Sequence, residues 1–280
     1  MAVHFTILGS GSSGNCAYLE TESTRLLIDA GLSARQIRQR LLTLGKAPEG
    51  LQGILLTHEH SDHVQGLSVL ASKLQIPVYC NRLTRDAVVR DLKGPIPFQI
   101  FSTGTAFEVG DVKVENFPIP HDAQDPVGFL LRTVDGNIGF LTDLGHATRL
   151  VIERVRSSQV LVLESNYDTR LLQEDLKRPW SVKQRIASRH GHLSNEAAAE
   201  AAVQLVSPEL THLFLGHLSR DCNRPELAER TVRQRLQEAG VTHVTLSVAS
   251  PDIPAPTVTL RFPAPADFAP IPNVTAVCQT

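Results

Sequence analysis

The chain has 280 residues, of which 42% are hydrophobic and 20% are charged. Both fractions lie near the average for globular proteins, so the chain can bury a sizeable core and wholesale disorder is excluded. The 27 Lys and Arg residues nearly balance the 29 Asp and Glu residues, and the formal net charge is −2. This balance excludes a uniformly basic surface for nucleic acid but leaves room for a local basic patch.

No apolar run approaches the roughly 18 residues of a membrane span, and the first residues lack the pattern of a signal peptide. The four cysteines are scattered along the chain, as is typical of proteins whose thiols stay reduced. We therefore expect a cytoplasmic protein without membrane contact.

Apolar patterning predicts strands and helices in alternation, with a strand-rich middle region at 98–142. The other predicted strands are 3–8, 16–20, 25–29, 53–57, 77–80, 160–163 and 212–215, with two more near Val244 and Thr257. The predicted helices are 34–44 with Ser33 as N-cap, 64–74, 84–92, 182–187, 195–206 and 225–239. The Pro-rich segment 263–280 is expected to be a loosely held tail, which leaves 1–262 as one domain.

The strongest chemical signal is the segment Thr57-His58-Glu59-His60-Ser61-Asp62-His63, which directly follows a predicted buried strand. Three imidazoles and a carboxylate at a strand end can face two neighbouring points, as two adjacent metal ions require. The alternative is a solvated His-rich loop. Two ions need further ligands, and later apolar runs end at His121, Asp143 and His217.

This ordered set resembles the metallo-β-lactamase superfamily, whose pattern is an HxHxDH loop, a later His, a bridging Asp and a final His. The resemblance implies an α/β fold, the four-layer αββα sandwich, and two divalent metal ions, Mn²⁺ or Zn²⁺. It assigns the first ion to His58, His60 and His121, the second to Asp62, His63 and His217, and a bridging position to Asp143.

Asp29 matches the first motif of the superfamily, where the carboxylate orients the ligand loop without touching metal. Thr57, at the start of the ligand loop, is expected to belong to the same supporting network. The alternative for Asp29 is an ordinary turn residue.

Segments beyond Asp143 resemble the YycJ/WalJ-type bacterial nucleases, and the resemblance covers about residues 3–262. The segments are Leu163-Glu164-Ser165-Asn166-Tyr167-Asp168, Gly191-His192-Leu193-Ser194-Asn195 and Leu215-Gly216-His217-Leu218-Ser219-Arg220-Asp221-Cys222-Asn223. The family usually has His where Tyr167 stands, so no role is assigned to this side chain. The resemblance implies a DNA exonuclease of 5′ to 3′ polarity that acts in DNA repair, mismatch repair above all, with DNA and repair machinery as partners.

His192 lies in a loop just before a predicted helix that Ser194 can cap. An imidazole and free backbone N–H groups there can bind a phosphate, and His192 can protonate the leaving oxygen. The expected catalytic residues are therefore Asp62, Asp143 and His192. A loop histidine with a purely structural role is the alternative.

The segment Gly9-Ser10-Gly11-Ser12-Ser13-Gly14 formally matches the GxGxxG motif of dinucleotide-binding proteins. Only 14 residues separate Gly14 from Asp29, too few for the crossover helix that this motif requires. We expect instead a structural turn, or a loop beside the metals whose N–H and hydroxyl groups meet a phosphate.

A basic run from Lys177 to Asn195 holds five Lys and Arg residues and no acidic residue. Such a run suits contact with a phosphate backbone, although a solvated helix face is the alternative. The candidate substrate-binding residues are Ser12, Ser13, Asn15, Asn166, Arg185, Arg189, Ser194 and Arg220.

The residues alone support only metal-dependent phosphodiester hydrolysis. A tRNA 3′-processing endonuclease would share His192, but the sequence shows no long basic arm for holding a tRNA. A small-molecule phosphodiesterase or thioesterase would share every metal ligand. A metal-stabilised binding module without activity is disfavoured, because all seven ligand positions are filled.

Overall fold

The computed structural model describes residues 2–261 and arranges their strands in two seven-stranded sheets. In the order of the sheet, the first consists of β14 (Val258–Leu260), β1 (Val3–Gly9), β2 (Cys16–Glu20), β3 (Arg25–Ile28), β4 (Gly53–Leu55), β5 (Val78–Asn81) and β6 (Phe98–Phe101). The second consists of β13 (Thr245–Val248), β12 (His212–Gly216), β11 (Val160–Glu164), β10 (Gly136–Leu141), β9 (Val127–Thr133), β8 (Val112–Pro118) and β7 (Ala106–Val109). Both sheets are mixed, because β3 to β6 and β10 to β13 are parallel while the other neighbours are antiparallel.

The helices lie outside the two sheets. They are α1 (Ala34–Thr43), α2 (Ser61–Val64), α3 (Leu67–Leu74), α4 (Arg82–Val88), α5 (Arg149–Val155), α6 (Thr169–Glu174), α7 (Trp180–Ile186), α8 (Asn195–Leu205) and α9 (Pro225–Glu238), with a 3₁₀ turn at Pro48–Gly50. Ser33 caps α1 as predicted, and its hydroxyl accepts a hydrogen bond from the Gln36 amide in a complete capping box. In the part of the chain that the structure describes, no helix is long and apolar enough to cross a membrane.

Three apolar clusters hold the layers together. The central cluster lies between the sheets, where Phe5 of the first sheet meets Phe214 of the second with ring centroids 6.4 Å apart. A second cluster joins the first sheet to α1 and α3, and a third joins the second sheet to α5, α8 and α9. This arrangement confirms the predicted four-layer αββα sandwich, since each sheet buries one face on the other sheet and one on helices.

The helix predicted at 64–74 begins later, as α3 at Leu67, and a separate short helix, α2, ends at Val64, with Gly66 between them. The Gly66 amide donates to the Ala30 carbonyl, and a Cβ there would lie 2.3 Å from the Leu32 carbonyl oxygen. Only glycine allows this close approach. Two helices, α5 and α6, were not predicted, although Thr148 and Asp168 cap them through their side chains.

One edge of the sandwich collects the carboxyl ends of several strands. Strands β8 and β10 both run antiparallel to β9 and are therefore parallel to each other, and β11 and β12 continue in the same direction. Their carboxyl ends consequently meet at one edge of the second sheet. This edge carries the candidate site. The predicted tail, 263–280, lies outside the described residues, so the domain boundary stays a prediction.

Candidate metal centre

The predicted ligands come together at this edge as two adjoining groups. In the first group, the His58 Nε2 and His60 Nδ1 atoms are 3.0 Å apart, and His60 Nδ1 is 3.3 Å from His121 Nε2. Ligand atoms of a tetrahedral zinc ion are about 3.3 Å apart when the bonds are about 2.0–2.1 Å long. The three imidazoles are therefore spaced as ligands of one ion.

The second group consists of Asp62, His63 and His217, whose donor atoms lie within 4.8 Å of one another. The Asp62 Oδ2 atom is 3.1 Å from His217 Nε2 and 3.7 Å from His63 Nε2. A carboxylate and two imidazoles form a mixed donor set, which suits both Zn²⁺ and Mn²⁺.

Asp143 lies between the two groups. Its Oδ1 atom is 3.6 Å from His121 Nε2, and its Oδ2 atom is 3.1 Å from His63 Nε2. The Oδ2 atom is buried and has no hydrogen-bond partner among the described residues. Because an unpaired buried carboxylate oxygen is costly, its position fits a ligand that faces a cation.

A network around Asp29 holds the ligand loop. The Asp29 carboxylate accepts hydrogen bonds from the Thr57 amide at 2.9 Å and from the Thr57 hydroxyl at 2.9 Å. It also lies 2.7 Å from His63 Nδ1, which leaves His63 Nε2 to face Asp62 and Asp143. These hydrogen bonds are the contacts through which Asp29 and Thr57 can orient the loop.

Three of these residues have strained backbones. Asp29, Asp143 and His217 have φ values of 59°, 57° and 56°, a left-handed conformation that non-glycine residues rarely adopt. Asp29 and His217 directly follow β3 and β12, and Asp143 lies two residues after the end of β10, so each left-handed turn directs a side chain at the sheet edge. Local strain of this kind is concentrated at functional sites.

Glu164 belongs to the site, although the sequence interpretation gave it no role. Its Oε1 atom lies 2.7 Å from His217 Nδ1 and 2.8 Å from His192 Nδ1, and its Oε2 atom accepts from the amides of Leu144 and Leu193. Glu164 ends β11, between the strands that carry Asp143 and His217. The strand-end pattern that identified those two ligands therefore applied to Glu164 as well.

The buried carboxylates and imidazoles shift one another's pKa values. Burial alone would raise the pKa of Glu164, but the neighbouring His192 and His217 outweigh it and lower the pKa to about 2. Burial alone would lower the pKa of His192, but the Glu164 carboxylate outweighs it and raises the pKa above its usual value. Burial lowers the pKa of His58 well below its usual value, which favours the neutral imidazole that binds metal.

A cavity of about 250 Å³ opens onto the two donor groups. His60, Asp62, Asp143, His192 and His217 contribute to its wall. Arg178, Val182, Arg185 and Ile186, from the segment around α7, also line it, as does Asp122. The cavity wall therefore combines carboxylate, imidazole and guanidinium groups.

The candidate substrate-binding residues do not all line this cavity. Ser12, Asn166 and Arg185 do, whereas Ser13 and Arg220 line an adjoining cavity.

The other three candidates hold neighbouring structure. The Asn15 side chain bonds to Ser10 and to His63 Nε2, and the Ser194 hydroxyl caps α8. Arg189 lies 3.0 Å from the His146 ring.

Several cations of the basic run at 177–195 form ion pairs in the folded protein, which reduces the positive charge of this surface. Lys177 and Arg178 both pair with Asp221, at 3.2 and 3.0 Å, and Arg185 pairs with Asp122. These acids lie outside the run, so the sequence pattern could not show the pairing. The run is a partly neutralised surface beside the cavity.

A family model described as the Beta-lactamase superfamily domain matches residues 24–214. The chain belongs to the metallo-β-lactamase superfamily. Within it, the chain is 40% identical over 243 residues to a protein named exodeoxyribonuclease YycJ from Bacillus anthracis, covering 86% of this chain and 91% of that protein. It is 38% identical over 239 residues to a protein named exodeoxyribonuclease WalJ from Streptococcus pneumoniae, covering 84% and 88%.

Solved structures agree on the superfamily fold. The metallo-β-lactamase fold protein YhfI from Bacillus subtilis superposes with a TM-score of 0.67 over 91% of this chain and 98% of that chain. The sequence identity is 14%, so this likeness supports the fold alone. The similarity to YycJ and WalJ confirms the predicted membership of the YycJ/WalJ type within the metallo-β-lactamase superfamily.

Proposed function

We propose that this protein is a metal-dependent phosphodiesterase that removes nucleotides from a DNA end. The observation that carries the proposal is the pair of donor groups that meet at Asp143, because this arrangement suits hydrolysis of a phosphate ester. The choice of DNA rests on the relatives named exodeoxyribonucleases, which the chain matches over most of their length.

His58, His60 and His121 would hold one divalent ion, and Asp62, His63 and His217 would hold a second, with Asp143 shared between them. When bound, the ions would supply Lewis-acid chemistry that activates water and neutralises charge on the phosphoryl oxygens. The mixed donor set is compatible with Mn²⁺ and with Zn²⁺.

His192 is the proposed proton donor for the leaving oxygen. It lines the cavity, and Glu164 holds its Nδ1 atom, which leaves Nε2 as the nitrogen available to substrate. The raised pKa keeps the imidazole protonated at higher pH, as a general acid requires. Arg178 and Arg185, which also line the cavity, would attract the phosphate.

The biological setting follows from the resemblance to the YycJ/WalJ nucleases. We propose 5′ to 3′ polarity and a role in DNA repair in the cytoplasm, with mismatch repair as the pathway and repair proteins as partners. The predicted substrate-binding residues remain part of this proposal.

Digestion of duplex DNA labelled at one end tests the proposal. The chelated protein receives Mn²⁺ or Zn²⁺ in turn, and we expect release of mononucleotides, with a 5′ label lost before a 3′ label. Label released first from the 3′ end would contradict the polarity. Precursor tRNA and bis-p-nitrophenyl phosphate serve as parallel substrates, and cleavage of either without cleavage of DNA would replace the DNA assignment.

A further inference from the structure

A second cavity adjoins the metal centre and has no role in the proposed chemistry. Its volume is about 400 Å³, larger than the central cavity and within the roughly 300–1,000 Å³ range of ligand pockets. Ser12 and Ser219 line both cavities, so the two spaces adjoin at these residues. A ligand in the second cavity can therefore be joined to a group in the first.

One side of the second cavity is apolar. Leu218, Pro225, Val248 and Pro251 line it and come from three parts of the chain: the loop after β12, the start of α9 and the end of β13. A wall of this kind can cover the flat face of a nucleobase, which gains free energy when it leaves water.

The other side carries polar groups suited to a sugar-phosphate. The Ser13 hydroxyl and the Arg220 guanidinium line the cavity, and both side chains are exposed. Among residues 2–261, neither side chain has a hydrogen bond or ion pair. Asp252 also lines the cavity, so a phosphate is favoured beside Arg220 and disfavoured beside Asp252.

The walls are fixed before any ligand binds. Arg40 donates to the carbonyl oxygens of Pro251 and Asp252 at 2.8 and 3.0 Å. The Ser10 hydroxyl accepts from the His217 amide at 2.8 Å and ties the loop after β1 to the metal centre. A site held in this way loses little conformational entropy on binding.

We infer that the second cavity binds a nucleotide of the same DNA strand, next to the phosphate that is cleaved in the central cavity. The inference rests on the proposed function, because it takes the central cavity as the place of cleavage. The base lies against Leu218, Pro225 and Val248, and the flanking phosphate lies beside Ser13 and Arg220.

Filling the cavity tests the inference. Ser250 lines it and is partly exposed, so Ser250→Trp places a ring in the cavity; it also removes the hydroxyl that accepts a hydrogen bond from the Asp252 amide, a loss that Ser250→Ala shares. We expect kcat/KM for a single-stranded oligodeoxynucleotide to fall by about tenfold or more, because the ring occupies the space that the base would fill. Hydrolysis of bis-p-nitrophenyl phosphate, which needs only the central cavity, should change by less than about twofold. Ser250→Ala is the matched control and should retain both activities.

A second variant removes the cation instead. Arg220→Ala should weaken binding of the labelled oligodeoxynucleotide and reduce the salt slope of its affinity by about one. Arg224→Ala, which removes an exposed arginine outside the cavity, should leave the slope unchanged. Equal slopes for the two variants, or full oligonucleotide cleavage by a folded Ser250→Trp protein, would overturn the inference.

The two proposals can fail separately. If the wild-type protein binds the oligonucleotide without cleaving it, the proposed function fails and the binding measurements still decide the role of the cavity. If the wild-type protein does not bind the oligonucleotide, both proposals are overturned.

Discussion

At the scale of single residues, Asp143 joins the two donor groups. Its two carboxylate oxygens face different groups, toward His121 on one side and His63 on the other. It is also 2% exposed, and its left-handed backbone fixes the direction of the side chain. Within the described residues, His58 and His63 also lie near both groups, but an imidazole nitrogen has one lone pair and binds one ion, whereas a carboxylate has two oxygens to share.

Asp143→Ala should therefore abolish hydrolysis and lower the occupancy of both metal sites. Metal analysis of the purified variant, together with DNA digestion, measures the two effects. Asp91→Ala is the control, because it removes an exposed carboxylate that is distant in sequence from Asp143 and from the other candidate ligands. Full activity with two ions still bound would contradict a shared ligand.

His192→Ala should reduce the rate by about 10²-fold or more, the usual scale for loss of a general acid. Metal content and melting temperature should change little, because His192 is not among the predicted ligands. The pKa of His192 lies above its usual value, so the protonated form is present below this pKa and is lost as the pH rises through it. The wild-type rate should fall on the alkaline side, and the variant should lack this fall.

His190→Ala is the matched control, since His190 is exposed and lies two residues away in the same loop. Near-normal turnover in the His192 variant would remove this residue from the mechanism. Loss of metal would make it a ligand instead.

At the scale of elements, the loop between β4 and α2 depends on a buried network outside the ligand set. Asp29, at the end of β3, receives the amide and hydroxyl of Thr57 and orients His63. All three side chains are almost completely buried. Loss of such supporting hydrogen bonds commonly lowers metal affinity by about 10–100-fold.

Thr57→Val keeps the shape of the side chain but loses the hydroxyl contacts to Asp29 and His63. We expect metal affinity to fall about 10–100-fold, measured by titration of the chelated protein. Thr6→Val is the control, because Thr6 is equally buried and hydrogen-bonds Thr257 instead of the ligand loop. Equal metal affinity in the two variants would assign the network a purely structural role.

At the scale of the whole molecule, charge is arranged in pairs more than in patches. The chain has a net charge of −2, and acids from other segments partly neutralise the basic run that follows α6. Arg185 nevertheless lines the central cavity. Long-range attraction of DNA should therefore be modest, and the contribution of Arg185 should be local.

The double variant Arg185→Ala/Arg189→Ala should weaken DNA binding equally for all sequences. Because Asp122 already neutralises Arg185, the salt slope of the affinity should fall by about one at most. Binding measured over a range of salt concentrations checks this. The pair Arg90→Ala/Arg149→Ala, which removes exposed arginines that do not line the cavity, should leave the slope unchanged. If both double variants show the same salt slope of DNA affinity, the basic run is a solvated helix face that does not contact DNA.

The sequence by itself determined the fold class and predicted the residues that the structure brings together as candidate metal ligands. Alternating apolar runs predicted the strands. His58, His121, Asp143 and His217 were predicted as ligands because each follows a strand, and the carboxyl ends of parallel strands lie at the same edge of a sheet. The order of residues along the chain was sufficient to predict this part of the site. The ligand loop is one short segment, and each later candidate ligand follows its own strand.

Only the tertiary structure decided which charged side chains form ion pairs and which cavities lie side by side. The roles of Glu164 between His192 and His217, and of Asp122 beside Arg185, depend on contacts between distant segments. The break between α2 and α3 at Gly66 likewise depends on backbone packing against Leu32. Residues far apart in the chain acquire these partners through packing of the layers, and local periodicity contains no information about which distant side chain will be the neighbour.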